Sequence, residues 1–340
     1  MKNFVFPQPV KKDDYIGIIA PSDGILSDKE IEPSIKIIER WGLKIKIGKY
    51  VYSKENDRFS GLPQEKQEDL LRMIEDDEVK IIWPVYGGYS ANDVLPLFNK
   101  EVVKKLKDNP KWIIGYSDIS LILDALFSFK IASIHGPNFA GLNDIQEKNL
   151  NQLRNILFER KLEEIDSSYK WEVLIPGRAR GRILATNLDS LIYNLGTKFD
   201  PLLHGEDDLI LCLEDVFIEK SELLRMMDTV LNHKKAYRIK AIILGRFLGI
   251  YEVSYAERFR RVSYEKLIEN RIRYKFENVP LVKLEDFGHT KISIKEKQGI
   301  LRKIFPPKRQ KETFISFLNG SIGILETSGD KARLLFEEIK

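Results

Sequence analysis

A single cysteine, Cys212, among 340 residues excludes any disulfide within the chain. It sits in the apolar run Leu209-Ile210-Leu211-Cys212-Leu213, where a thiol behaves as a small buried hydrophobe, so it is given no catalytic role. Histidine is scarce too, with four in the chain. No H-E-x-x-H and no cysteine pair accompany them, so no metal centre is expected. Neither G-x-G-x-x-G nor G-x-x-x-x-G-K-[ST] occurs, which removes the usual phosphate-cradling signatures. No apolar run approaches a membrane span, and Met1 to Pro7 lacks the features of a signal peptide. A soluble, cytoplasmic protein is therefore expected. Nor does one sign of charge dominate: 55 Lys+Arg stand against 51 Asp+Glu, a net charge of +4. Nucleic acid is not the expected partner. The basic stretch from Glu257 to Lys275 interleaves Glu at helical spacing and reads as a solvated helix face.

What the chain does have is length and regular alternation. At 340 residues two domains are the natural expectation. Short apolar runs at Tyr15–Ala20, Lys44–Val51, Ile81–Val85, Lys111–Tyr116 and Ile131–His135 predict strands. Between them Asp28–Trp41, Gln64–Asp77 and Asp118–Lys130 carry helical stripes. Strands apolar on both faces, alternating with helices, imply a parallel sheet covered on both sides. Catalytic loops in such a fold lie at the carboxyl ends of strands, here Pro21-Ser22, Tyr86-Gly87-Gly88-Tyr89, Gly115-Tyr116-Ser117 and His135-Gly136-Pro137. Residues 1–150 are read as this α/β domain. Residues 141–176, polar and charged, read as a helix followed by a linker, with the linker set at 151–176. Residues 177–340 form a second, α+β domain with strands at Arg182–Ala185, Leu209–Leu213, Ala241–Phe247, Leu281–Leu284, Gly299–Arg302 and Ile322–Glu326. Helices at Lys220–Asn232 and Ser263–Phe276 interrupt them.

Ser117 stands where the strand KWIIGYS runs into the helix DISLILDALF. Such a corner exposes a hydroxyl beside a helix N-terminus, which favours developing negative charge. The pattern is G-x-S-x-I, short of the full G-x-S-x-G elbow, and an ordinary helix N-cap fits it as well. Of the histidines, His204 and His233 fall in polar contexts, and His135 ends a strand. His289, in Phe287-Gly288-His289-Thr290, projects from a glycine turn and is the best candidate base. Its orienting carboxylate is Glu214, Asp215, Glu285 or Asp286; spacing does not choose among them. The backbone at Gly87-Gly88 and the N–H of Asp118 are candidates for an oxyanion hole.

Taken in order, Gly87-Gly88-Tyr89-Ser90-Ala91-Asn92, Ile114-Gly115-Tyr116-Ser117-Asp118-Ile119-Ser120, His135-Gly136-Pro137, Gly181 to Thr197, Leu213-Glu214-Asp215 and Phe287-Gly288-His289-Thr290 resemble the LD-carboxypeptidase family of serine peptidases. The resemblance runs from about Tyr15 to Thr290. It implies a flavodoxin-like α/β domain joined to a smaller, mostly β domain. It makes Ser117 the nucleophile, Glu214 the acid and His289 the base. Backbone N–H groups of Gly88 and Asp118 become the oxyanion hole, with Gly87, Tyr89 and Trp171 at the substrate. It further implies a homodimer without metal or cofactor. Two departures stand out: Lys291 to Lys295 replace a Pro-rich apolar stretch, and Ala185-Thr186 replace a doubled glycine. The family holds two activities, release of D-alanine from a murein tetrapeptide and microcin C immunity (MccF-like) cleavage of an aminoacyl-nucleotide-like amide. The long insertion between Glu214 and His289 and the opening Pro7 to Ser22 resemble the second; Trp171 is a candidate to stack on a purine, with anchoring of the linker on the domain surface as the favoured alternative. An α/β-hydrolase-type esterase and a non-catalytic peptide-binding protein are the competing readings.

Overall fold

The computed structural model describes residues 4–52, 60–252, 262–291 and 311–339. Five strands, β1 (Tyr15–Ile19), β2 (Lys44–Ile47), β3 (Val79–Pro84), β4 (Trp112–Gly115) and β5 (Ser133–His135), pair in parallel in the order β2-β1-β3-β4-β5. That is the flavodoxin-like order. β3 and β4 are apolar and almost wholly buried along their lengths because helices cover both faces. The helices are α1 (Glu32–Arg40), α2 (Pro63–Glu75), α3 (Lys100–Asp108), α4 (Ser120–Ser128) and α5 (Glu147–Glu159).

The second sheet has seven strands. β6 (Trp171–Ile175), β7 (Arg178–Asn187), β8 (Leu209–Val216), β9 (Ile239–Leu248) and β10 (Leu281–Leu284) are followed by β11 (Phe317–Asn319), β12 (Ile322–Ser328) and β13 (Lys331–Phe336). Their order is β13-β12-β7-β8-β9-β10-β6, with β11 elsewhere. The centre, β7 to β10, is parallel, and the edges β6, β12 and β13 run antiparallel. Helices α6 (Leu188–Asn194), α7 (Lys220–Leu231) and α8 (Tyr264–Lys275) pack on it. There are thus two sheets and not the single continuous one of an α/β-hydrolase.

Two expectations change, and a third is left untested. The helix expected in 141–176 is α5, but it runs to Glu159, into the span 151–176 set aside as linker, and Trp171–Ile175 of that span form β6. Both carry apolar faces: Leu153, Ile156 and Leu157 are buried in the first core, and β6 packs on β10. The strand expected at Gly299–Arg302 lies outside the described residues. Finally β11, from the C-terminal part of the chain, pairs antiparallel with β5 and extends the first sheet.

The two halves meet on α4, whose nine residues are all buried. A helix with apolar residues on all its faces, broken only by Ser120, Asp124 and Ser128, must be covered on every side. Each of Leu121, Ile122, Leu123, Leu126 and Phe127 removed from water contributes about 1.5–3 kcal/mol. Polar bonds set the register across this seam. Ser120 Oγ accepts from the Asn187 N–H at 3.2 Å, and Asn194 Nδ2 donates to the Leu121 carbonyl at 3.0 Å. Among the described residues no helix is long and apolar enough to cross a membrane.

Candidate active site

β4 ends at Gly115, and two residues later the chain turns sharply. Ser117 has φ +61°, a left-handed conformation that a side chain adopts at a cost of about 1–2 kcal/mol. The 3-10 turn Ser117–Ile119 then leads into α4. Asn138, just beyond β5, holds this corner: its Oδ1 accepts from the Tyr116 N–H at 3.2 Å. Gly87 makes room for it, since a Cβ there would lie 2.9 Å from Ser117 Cβ and 3.0 Å from Oγ.

The loop after β3 is fixed by the carboxylate of Asp118. Its Oδ2 accepts from Ser22 Oγ at 2.5 Å and from the backbone N–H groups of Ser90 and Ala91, each at 2.8 Å. One side chain therefore ties the end of β1, the glycine loop and the serine corner together. Hydrogen bonds to a charged acceptor are the stronger kind.

From the second sheet, β8 delivers Glu214 and the loop after β10 delivers His289. Glu214 is fully buried and His289 is 3% exposed. Glu214 Oε2 accepts from the His289 backbone N–H at 3.0 Å and lies 2.5 Å from Nδ1. The other ring nitrogen, Nε2, is 3.1 Å from Ser117 Oγ. Gly288 permits this closeness: it has φ +90°, and a Cβ on it would meet Glu214 Cβ at 2.5 Å. Arg246 braces the same loop from β9, donating through Nη1 to the Gly288 carbonyl at 3.1 Å and through Nη2 to the Thr313 carbonyl at 2.9 Å.

Burial alone pushes the Glu214 carboxyl up. The neighbouring charge of His289, the nearby His135 and the bond to His289 outweigh burial and hold the group well below the usual carboxylate range. Next to it Asp215 behaves oppositely. Burial, then repulsion from Glu214, pushes it up to about 8, against three donors: Val216 N–H, Asp189 N–H and Asn187 Nδ2. Two adjacent carboxyls pushed apart in this way mark a site where one stays ionised beside an imidazole.

These groups open on a cavity of about 560 Å³ lined by Gly88, Tyr89, Ser117, Asp118, Tyr193 and His289, among others. Asp189 and Glu222 also face it, and no Lys or Arg does among the described residues. Such an arrangement can move a proton from a hydroxyl to an imidazole whose charge a buried carboxylate stabilises.

Sequence reasoning named Ser117, His289, Gly88, Asp118 and Tyr89, and all five line the cavity. Glu214 is the carboxylate, of the four considered, that bonds His289. Gly87 lies behind Ser117 and is not itself among the lining residues. Trp171 is a correction. It opens the edge strand β6, its indole Nε1 donates to the Asp166 carbonyl at 2.8 Å, and its ring packs on the second core, away from the cavity. Asn138, Asn187 and the Asp118 side chain were not foreseen. Each had a signal: Asn138 follows the strand-ending His-Gly-Pro, and Asp118 and Asn187 lie inside motifs that carry the family resemblance.

Two family models cover most of the chain. One described as the LD-carboxypeptidase N-terminal domain matches residues 16–136, and one described as the LD-carboxypeptidase C-terminal domain matches residues 180–296. A putative carboxypeptidase of Synechocystis is 28% identical over 85% of this chain and 90% of its own length. The murein tetrapeptide carboxypeptidase of Pseudomonas aeruginosa is 27% identical over 76% and 84%. Among solved structures, MccF in complex with glutamyl sulfamoyl guanosine superposes with a TM-score of 0.77, at 15% identity and over the full length of both chains. That last likeness is one of fold.

Proposed function

The chain belongs to the LD-carboxypeptidase family of serine-type peptidases, and from that premise we propose that it hydrolyses an amide bond in a small peptide or aminoacyl-nucleotide-like substrate, in the manner of the microcin C immunity branch. The single observation that carries the reading is the chain of contacts Ser117 Oγ–His289 Nε2, 3.1 Å, and His289 Nδ1–Glu214 Oε2, 2.5 Å, at the wall of a cavity.

In this reading His289 takes the proton of Ser117, and Oγ attacks the amide carbon. Backbone N–H groups of Gly88 and Asp118 hold the oxyanion that develops. His289 then protonates the leaving amine, and water releases the acyl group from Ser117 by the reverse sequence. Glu214 keeps the imidazole in the tautomer that presents a bare Nε2 to the serine and stabilises its charged form. The nucleophile comes from the unit expected at 1–150, and the acid and base from that expected at 177–340. We further propose that the protein works in the cytoplasm, and as a homodimer, the latter as the family resemblance implies.

Four acidic residues line the cavity, Asp118, Asp189, Asp215 and Glu222, and such a lining suits a substrate that presents a free ammonium, as an aminoacyl group does. A second reading, release of D-alanine from a murein tetrapeptide, is favoured by the named activity of the Pseudomonas relative. Side-by-side hydrolysis of an L,D-tetrapeptide and an aminoacyl sulfamoyl adenosine separates the two. Faster turnover of the second is expected; turnover of the tetrapeptide alone supports the murein reading. Undiminished turnover by Ser117→Ala would overturn both.

A further inference from the structure

His135 ends β5 with its side chain fully buried, and neither ring nitrogen has a hydrogen-bond partner among the described residues. Rings surround it: Phe287 at 4.9 Å between centroids, Tyr116 at 6.2 Å and Phe314 at 6.4 Å. A phenylalanine would fill such a nest without burying two unsatisfied nitrogens, which are costly in an apolar site. One nitrogen has a direction. His135 Nε2 lies 3.8 Å from Glu214 Oε1, both side chains being fully buried.

The two oxygens of Glu214 are held unequally. Oε2 takes the His289 N–H and Nδ1, at 3.0 and 2.5 Å. On Oε1, among the described residues, the hydrogen bond is the long one from Asn187 Nδ2 at 3.3 Å. A carboxylate tethered on one oxygen can turn about its terminal bond and release the imidazole.

We propose that His135, as the neutral Nε2–H tautomer, is a positioning residue that tethers Oε1 of Glu214 and so keeps Oε2 on His289. It rests on the reading of Ser117, Glu214 and His289 as the reacting set. A closing of roughly 0.8 Å brings the 3.8 Å separation to ordinary hydrogen-bond length. Bonds that serve a charged transition state commonly tighten as it forms. The titratable groups facing His135 among the described residues are Glu214 from β8 and Tyr116 from the end of β4, with His289 beyond Glu214. His135 does not line the cavity, so it acts on Ser117 only through Glu214 and His289.

The test is the rate at which a fluorophosphonate labels Ser117, followed against pH in the full-length chain. His135→Phe keeps the aromatic packing and removes the donor. It is expected to slow labelling about ten- to a hundredfold, the worth of a hydrogen bond to a charged group. Its acidic limb moves to higher pH, because the charge of Glu214, shared with one donor fewer, holds the protonated form of His289 longer. His135→Gln keeps an N–H donor and recovers most of the rate. Labelling by His135→Phe at the wild-type rate and pH profile would overturn the proposal. So would a His135→Gln variant as slow as His135→Phe while both melt with the wild type. Should His135→Phe not fold, the ring ¹⁵N resonances of His135 in the wild-type protein decide: a proton on Nε2 supports the proposal, and a proton on Nδ1 alone refutes it. A wild-type chain that is not labelled at Ser117 at all refutes the proposed function instead, and the tautomer still reads the role of His135.

Discussion

Replacing Glu214 by Gln tests how the buried carboxylate works. The substitution preserves shape but removes the charge that faces the imidazolium formed when Ser117 loses its proton. With the charges about 4 Å apart and an effective dielectric of about 20, that interaction is worth about 4 kcal/mol, or about a thousandfold in rate. The amide adds a second penalty. With its oxygen toward His289, its NH₂ meets the Asn187 Nδ2 donor; turned over, its NH₂ meets both the backbone N–H and Nδ1 of His289. Either orientation sets donor against donor, and the second drives His289 into the wrong tautomer, which by analogy with other serine triads raises the loss to about ten-thousandfold. Because Glu214 does not line the cavity, KM should stay close to that of the wild type. The assay is steady-state hydrolysis of whichever amide substrate the wild type turns over, with circular dichroism as a folding control. A Glu214→Gln enzyme within about tenfold of wild-type kcat would refute the reasoning, since neither term could then be acting.

Three other outcomes follow from the same geometry. Ser117→Gly and Ser117→Ala should both be inactive, but the glycine variant should be about 1 kcal/mol the more stable, because only it relieves the φ of +61°; equal melting temperatures would argue against a strained corner. Gly87→Ala should fold normally yet lose about a hundredfold in kcat, because its methyl would sit 2.9 Å from Ser117 Cβ and displace the hydroxyl; an unchanged kcat would mean that the loop yields instead. For Asp215 the folded-state value is raised, from 3.8 to about 8, so the native protein holds a proton that the unfolded chain has already lost. Its contribution to stability is full below about pH 4 and is lost as pH rises to about 8. Urea midpoints across that window should therefore fall with pH more steeply in the wild type than in Asp215→Asn, and parallel curves would count against the assignment.

Much of this was legible without coordinates because the signals are local. The runs YIGII and WIIG read as strands buried on both faces since apolar residues without alternation need cover on each side. Ser117 was legible as a corner because KWIIG and SLILDALF differ in period on either side of it. Strands β6, β11 and β13 were not read: β6 and β11 are short and pair with strands far along the chain, and β13 is an edge strand whose partner strand is its neighbour β12. Trp171 misled for a related reason. Its place in a polar stretch suggested a loop near the substrate, whereas the alternation it opens is the inward face of an edge strand.

By itself, then, the sequence determined the alternation of strands and helices, the order of the motifs and the residue types able to react, all of which depend on neighbours a few positions apart. Spacing left open which carboxylate faces His289, and the family resemblance named Glu214; tertiary structure supplied the contact itself, across 75 residues of chain, and brought His289 to Ser117 across 172. Glu214, Asp215, Glu285 and Asp286 are chemically equivalent candidates on a string. They differ only once β8 is laid beside the glycine turn after β10, where the missing Cβ of Gly288 lets Glu214 come closest. Close approach between distant segments is a property of packed backbones, and no local spacing encodes it.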